Sequence, residues 1–364
     1  MQLPVDIKAV IDEALDIDEA RHTALSVSVY LDETAPNDVL AHVRQAFASA
    51  SPHARVSLTY LDGRPFTPYA NDDMAVIVAG LNEKVGQYAA DLRSAGVPAM
   101  VATTLPELVG AIAKQQGYPI PQGDVVSPKI PSVPQLPAEG AHAAAPAPTE
   151  PYALDEATAS SLDERMGGWV IAACNDKRLA FALAFPFVRK PLSLEAVNAT
   201  ALQNAGVGLL VIIPGADMPV MTLNQAKMLL MIAASYGEEL SLERVKELAA
   251  LVGGAFACRA VARQLVAFVP ALGWAVKAAI GYTGTVAMGR AAIEYYEGNA
   301  SFSRLTEAVA AARDKAVRAA AKKAAEKAQV GGARAVESVR SHAAQAAGGV
   351  RNAASARIAA VKAR

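Results

Sequence analysis

After an amphipathic opening stretch, the chain alternates short aliphatic runs with longer segments of helical periodicity. The runs at 25–31 (LSVSVYL), 55–61 (RVSLTYL), 74–79 (MAVIVA) and 98–102 (PAMVA) have the length and β-branched content of strands. Helical segments at 36–50, 82–95 and 106–115 separate most of them. Strands alternating with helices of this length predict βαβ units, and hence a small parallel sheet sandwiched by helices. Gly96 stops a helix directly ahead of an apolar strand begun at Pro98, the usual joint in such units.

The pattern changes at Gly117. Nine of the 35 residues of 117–151 are proline, and Tyr118 is the only aromatic residue before Pro151. With few large apolar groups to bury, this segment is expected to be an extended, semi-rigid linker. From about 155 to 299 the periodicity is helical and predicts several helices around one core. Thr222 and Gln225 have capping-box spacing just after Pro219, and Gly237 closes the helix that follows. Ser241 reads as the cap of a further long helix, and Pro270 and Gly273 as a tight connection between two more. From Ser301 onward alanine takes 23 of 64 positions, and large apolar residues thin out after Val317. A helical but exposed segment is expected, with a weak 17-residue repeat marked by the glycine pairs at 331–332 and 348–349. The expected organisation is thus an α/β domain at 1–116, a Pro/Ala-rich linker at 117–154, a helical bundle at 155–299 and a basic Ala-rich tail at 300–364. The fold class is α/β plus all-α.

Charge sharpens this division. The 364 residues carry 34 Lys and Arg against 35 Asp and Glu, yet residues 301–364 hold 13 bases and 4 acids, a net of +9. Residues 1–116 carry 15 acids and 8 bases, a net of −7. A segment so basic is suited to an anionic surface, whether lipid headgroups, nucleic acid or the acidic front of its own chain. The candidate contact residues are Arg313, Arg318, Lys322, Lys323, Arg334, Arg340, Arg351 and Arg357. Two cysteines, Cys174 and Cys258, are too few for a disulfide framework or a four-cysteine zinc site, which points to a reducing compartment. The first twenty residues are acidic and amphipathic, unlike a secretory or transit peptide. Two apolar stretches, 196–216 and 265–288, leave open a membrane-inserted element or the core of a soluble bundle.

Several chemistries lack their residues. A phosphate-gripping loop after the first strand needs GxxxxGK[ST], whereas residues 32–38 read DETAPND, with three acids and no glycine. No GxGxxG or GxSxG occurs, and Asn82-Glu-Lys84 is only a faint echo of a guanine-recognition motif. His22, His42, His53, His142 and His342 form no metal-ligand spacing and read as solvated surface. Cys258 beside Arg259 reads as a small buried hydrophobe. No catalytic residue, metal ligand or cofactor is therefore expected. Gln203, Asn204, Asn224, Gln225, Arg259 and Arg263 lie in otherwise apolar helices. They form either an internal network that sets helix register or a surface for a partner.

The stretch 176–297 resembles the DUF697 family, a YcjF-type domain sometimes found with GTPase domains. The residues that carry the likeness are 176–180 (DKRLA), 185–189 (FPFVR), 203–205 (QNA), 214–222 (PGADMPVMT) and 224–225 (NQ). It continues through 232–237 (IAASYG), 259–263 (RAVAR), 284–285 (GT) and 288–296 (MGRAAIEYY). The front domain looks like a degenerate GTPase-like α/β domain without a phosphate loop. The resemblance implies a module of unknown role, often suspected of membrane association. The expected function is a non-catalytic scaffold that docks on a protein partner or the cytoplasmic membrane face. The alternative is nonspecific nucleic-acid binding through the basic tail.

Overall fold

The computed structural model describes residues 7–49, 51–129, 150–210, 218–240 and 273–298, together with Ala311. The elements run α1 (Ile7–Arg21), β1 (Leu25–Leu31), α2 (Asn37–Ala46), β2 (Ala54–Tyr60), β3 (Met74–Val78), α3 (Val85–Ser94), β4 (Ala99–Ala102), α4 (Pro106–Gln115) and β5 (Val125–Val126). They continue with α5 (Glu156–Ala173), a 3-10 turn (Asn175–Lys177), α6 (Arg178–Ala184), α7 (Pro186–Leu210), α8 (Met218–Ser235) and α9 (Gly273–Gly298). The chain divides into two compact units, Asp18–Leu192 and Met1–Ile17 with Ser193–Arg364.

The first unit is a doubly wound sheet. Its five strands are all parallel, in the order β2-β1-β3-β4-β5, the flavodoxin-like order. The four strands expected from the sequence are present, and β3 and β4 are buried along their whole length, as their unbroken apolar runs require. On one face Tyr30, Ala75, Ile77 and Val101 pack against Val85, Tyr88 and Leu92 of α3 and against Val109 of α4. On the other, α2 lies against β3, and α5 against β4 and β5. Phe47, just past α2, joins Phe185 and Phe187 at centroid distances of 5.1 and 5.0 Å. No helix links β2 to β3. The strand positions on that side are Ser26, Ser28, Arg55, Ser57 and Thr59, so a helix there would have had little apolar surface to bury.

The linker expected at 117–154 is corrected at both ends. Gly117 takes φ +82° to end α4, Ile120 packs on the core, and Val125 and Val126 extend the sheet beside β4. At the far end the Glu150 carboxylate accepts from the amides of Glu107 (2.7 Å) and Leu108 (3.1 Å), and the Tyr152 amide donates to the Thr104 carbonyl (2.9 Å). Residues 130–149 lie outside the described residues. The helical domain expected at 155–299 is corrected too, because α5, α6 and the start of α7 belong with the sheet. Leu162, Met166 and Val170 of α5 are fully buried, and Trp169 donates to Asp124 at 3.2 Å. The opening helix expected in the α/β domain groups mostly with the helical unit, where Lys227 of α8 pairs with Glu13 of α1 at 2.6 Å.

In the helical unit α8 and α9 pack together, and glycines bring α9 close to α7. A Cβ on Gly281 would lie 2.9 Å from the Asn204 carbonyl oxygen, and one on Gly289 would run into Val197. The capping box at Thr222 is overturned: α8 begins at Met218, with Pro219 in its first turn, where no amide is needed. Thr222 is fully buried within the helix. Gly237, at φ +90°, ends α8 as expected, and the Glu238 amide reaches back to the Ala233 carbonyl at 3.1 Å. The features expected at Ser241 and Pro270, and the whole 300–364 tail apart from Ala311, lie outside the described residues. Among the described residues no helix is long and apolar enough to cross a membrane.

Candidate functional site

An open parallel sheet binds ligands outside the carboxyl ends of its strands, where the strand order reverses. Here that point lies between β1 and β3, and it is filled from within. Asp32 directly follows β1 and is 1% exposed. Its carboxylate accepts from the amide of Gly80 (2.8 Å), the amide of Asn82 (3.2 Å) and the amide and hydroxyl of Thr34 (3.0 and 2.8 Å). The Thr34 hydroxyl oxygen also accepts from the Leu81 amide at 2.7 Å. Three successive amides after β3 thus converge on one carboxylate and one hydroxyl, the arrangement of backbone donors that elsewhere cradles a phosphate. Gly80 makes the approach possible, since a Cβ there would run into the backbone of Thr34 and Ala35.

The neighbouring anion-seeking group on this edge, the N-terminus of α4, is likewise occupied by Glu150. Thr103 ties β4 to β3 by donating to the Ala79 carbonyl at 2.8 Å, and its oxygen accepts from the Leu105 amide at 3.0 Å. Burial, followed by the charges of Asp32 and Asp91, raises the Tyr88 phenol above its ordinary value. Burial and then Glu150 and Glu107 do the same to Tyr152.

At the opposite edge of the sheet, Asp73 accepts from the Ser26 amide (2.9 Å) and from the Lys177 ammonium (2.6 Å). Asp72 accepts from the Ser26 hydroxyl (2.7 Å) and Arg55 (3.2 Å), and Arg55 lies over the Tyr69 ring. Cys174 is buried beside the Asp73 carbonyl, and desolvation pushes its thiol up to about 12. Among the histidines read as solvated, His22 and His53 are exposed, whereas His42 of α2 pairs with Asp163 of α5 at 2.7 Å. The hydrogen bond to Asp163 raises its pKa against the opposing effect of burial.

Of the six polar residues whose role the sequence leaves open, Asn204, Asn224 and Gln225 belong to an internal network. Thr285 of α9 donates to the Gly281 carbonyl (2.7 Å) and accepts from Asn204 of α7 and Gln225 of α8, both at 2.9 Å. Asn204 in turn accepts from Asn224 at 3.0 Å. These four side chains form an internal network joining three helices. Gln203, one position from Asn204 on α7, faces outward and stays outside this network. Arg259 and Arg263 lie outside the described residues, as do Cys258, His142 and His342.

The candidate contact residues Arg313, Arg318, Lys322, Lys323, Arg334, Arg340, Arg351 and Arg357 all lie outside the described residues. The acids after β1 are legible in the sequence, whereas the filling of the site by Asp32 is not. The available signal was an acid and a threonine two apart after β1, with Gly80 just beyond β3. Glu150 had no local signal. Among the described residues no group of three or more His, Cys, Asp or Glu side chains could hold a metal ion. The chain matches no protein-family profile, no curated protein and no solved structure.

Proposed function

We propose that this chain is a non-catalytic scaffold that docks on a protein partner or on the cytoplasmic face of a membrane. One observation carries the reading: the amides of Gly80, Leu81 and Asn82 at the sheet's switch point are satisfied by Asp32 and Thr34. A nucleotide phosphate entering there would have to displace a buried carboxylate and would meet its negative charge. The likeness of 176–297 to DUF697 and the GTPase-like look of the front half belong to the same proposal. Calorimetric titration of the full chain with GTP and ATP in the presence of magnesium tests it. No saturable heat is expected for either nucleotide, and stoichiometric uptake overturns the non-catalytic reading.

The docking half of the proposal rests on the +9 charge of residues 301–364. Near anionic lipid each Lys or Arg contributes about 1 kcal/mol. Flotation with phosphatidylserine vesicles is expected to recover the full chain, and neutralising Arg313, Arg318, Lys322 and Lys323 together is expected to release it. The same charge favours a second reading, nonspecific nucleic-acid binding with a steep salt dependence. A DNA gel shift abolished by the same four substitutions, with no vesicle binding, selects that reading over the membrane.

A further inference from the structure

We propose that β2 is a self-association edge, at which two copies of this chain join antiparallel into one continuous sheet of ten strands. β2 is an outer strand, and its ladder to β1 leaves half of its backbone groups unused. The Leu25 amide donates to the His53 carbonyl and the Leu61 amide to the Leu31 carbonyl, with Leu25 in register with Ala54 and Leu31 with Tyr60. In a parallel ladder of this phase the odd-numbered residues of β2 bond to β1. The amides and carbonyls of Val56, Leu58 and Tyr60 therefore point outward, and none has a partner among the described residues.

Edge strands are commonly protected by lysine, proline, a bulge or shortness. This one is seven residues long and carries no lysine or proline. Its one charge, Arg55, is drawn back onto Asp72 and the Tyr69 ring. Leu58 is 51% and Tyr60 46% exposed, on the same face of the strand.

The occupant that fits is a second copy of the strand. Pairing about a two-fold axis through Ser57 keeps all seven residues in register with their mates. Val56 of one copy then faces Leu58 of the other, and small Ala54 faces large Tyr60, so apolar side chains meet on one face. On the other face Arg55 meets Thr59 and Ser57 meets its own equivalent, with no like charges opposed. The outward amides and carbonyls of Val56 and Leu58 meet in hydrogen-bonded pairs, and the amide of Tyr60 meets the carbonyl of Ala54. A two-fold contact closes on itself, and the opposite edge, β5, has only two residues with which to pair, so growth stops at two copies. The segment 130–149 is a poorer occupant because its prolines at 131, 134, 137, 146 and 148 cannot donate to a ladder.

Sedimentation equilibrium of the full chain over a concentration series tests this, and the expected species has twice the 37.7 kDa chain mass. Leu58→Pro removes only an outward amide and leaves the bonds to β1 intact, and Leu58→Lys places a charge at the junction. Each is expected to weaken dimerisation at least about tenfold, with unchanged circular dichroism. If the proline variant fails to fold, the lysine variant carries the test. Ser57→Cys, in a Cys258→Ser background, is expected to cross-link the two copies on oxidation, because facing residues at a non-hydrogen-bonded position are within disulfide reach. The background chain, whose remaining Cys174 is buried, should not cross-link. A wild-type chain that stays monomeric throughout the series overturns the proposal. So does a dimer that survives both Leu58 substitutions, or one that forms in the Ser57→Cys chain without cross-linking.

Discussion

Removing the Asp32 carboxylate is the most direct perturbation of the sheet's carboxyl edge. In Asp32→Ala the amides of Gly80 and Asn82 lose their acceptor, as does the Thr34 turn. A buried donor left unsatisfied costs about 1–3 kcal/mol. Gly80 is buried and Asn82 partly so, which makes a total of about 3–4 kcal/mol reasonable. For a unit the size of Asp18–Leu192, each kcal/mol shifts the melting midpoint by about 2–4 °C, so a fall of about 6–16 °C is expected. Asp32→Asn keeps one acceptor oxygen but turns an NH2 toward the amides, and should lose about half as much. The assay is thermal unfolding followed by circular dichroism, with formate or chloride added at equal ionic strength. Formate can enter the vacated space as a free carboxylate. At ten times its dissociation constant it restores about 1.4 kcal/mol to Asp32→Ala and nothing to the parent chain. An Asp32→Ala chain melting within about 2 °C of the parent would refute the view that Asp32 holds this edge together. Loss of stability without formate rescue would refute the idea that the amides form an anion-shaped cradle.

Further outcomes follow from the rest of the molecule. Thr285→Val removes the acceptor of Asn204 and Gln225 and should destabilise the helical unit by about 2–4 kcal/mol, whereas Thr285→Ser keeps the hydroxyl and should cost under about 1 kcal/mol; hydrogen exchange of α7 and α9 amides distinguishes the two. The raised pKa of His42 means that its bond to Asp163 contributes fully below the unfolded value and is lost as pH rises through the folded one. His42→Gln should therefore lower the melting point more at acidic than at alkaline pH, and an equal loss at both sinks that assignment. Cys174, buried with its thiol pushed up to about 12, should resist a thiol reagent in the native Cys258→Ser chain at mildly alkaline pH and react once urea unfolds it.

The sequence by itself determined the local elements of the α/β half. The runs at 25–31, 55–61, 74–79 and 98–102 became β1 to β4, and the helix at Pro106–Gln115 stands where its periodicity placed it. These features are set by neighbours in the chain, through alternation, helix stops and the burial of unbroken apolar runs. Polar residues within apolar helices were also legible as a group that must be satisfied, though which of them turns inward was not. Asn204 and Gln203 are adjacent and chemically alike, and only the packing of α9 beside α7 puts one in the network and leaves the other outside.

Tertiary structure alone decided what depends on distant segments meeting. Val125 and Val126 are too short to read as a strand until β4 offers them a ladder. Helix α5 looked like the start of the bundle, yet its apolar face found the sheet instead. Asp32 and Gly80 are 48 positions apart, and Glu107 and Glu150 are 43, so no local pattern shows that carboxylates occupy both amide clusters. Short-range preferences choose the elements, but electrostatic satisfaction of buried donors is settled only when the loops between them are brought together.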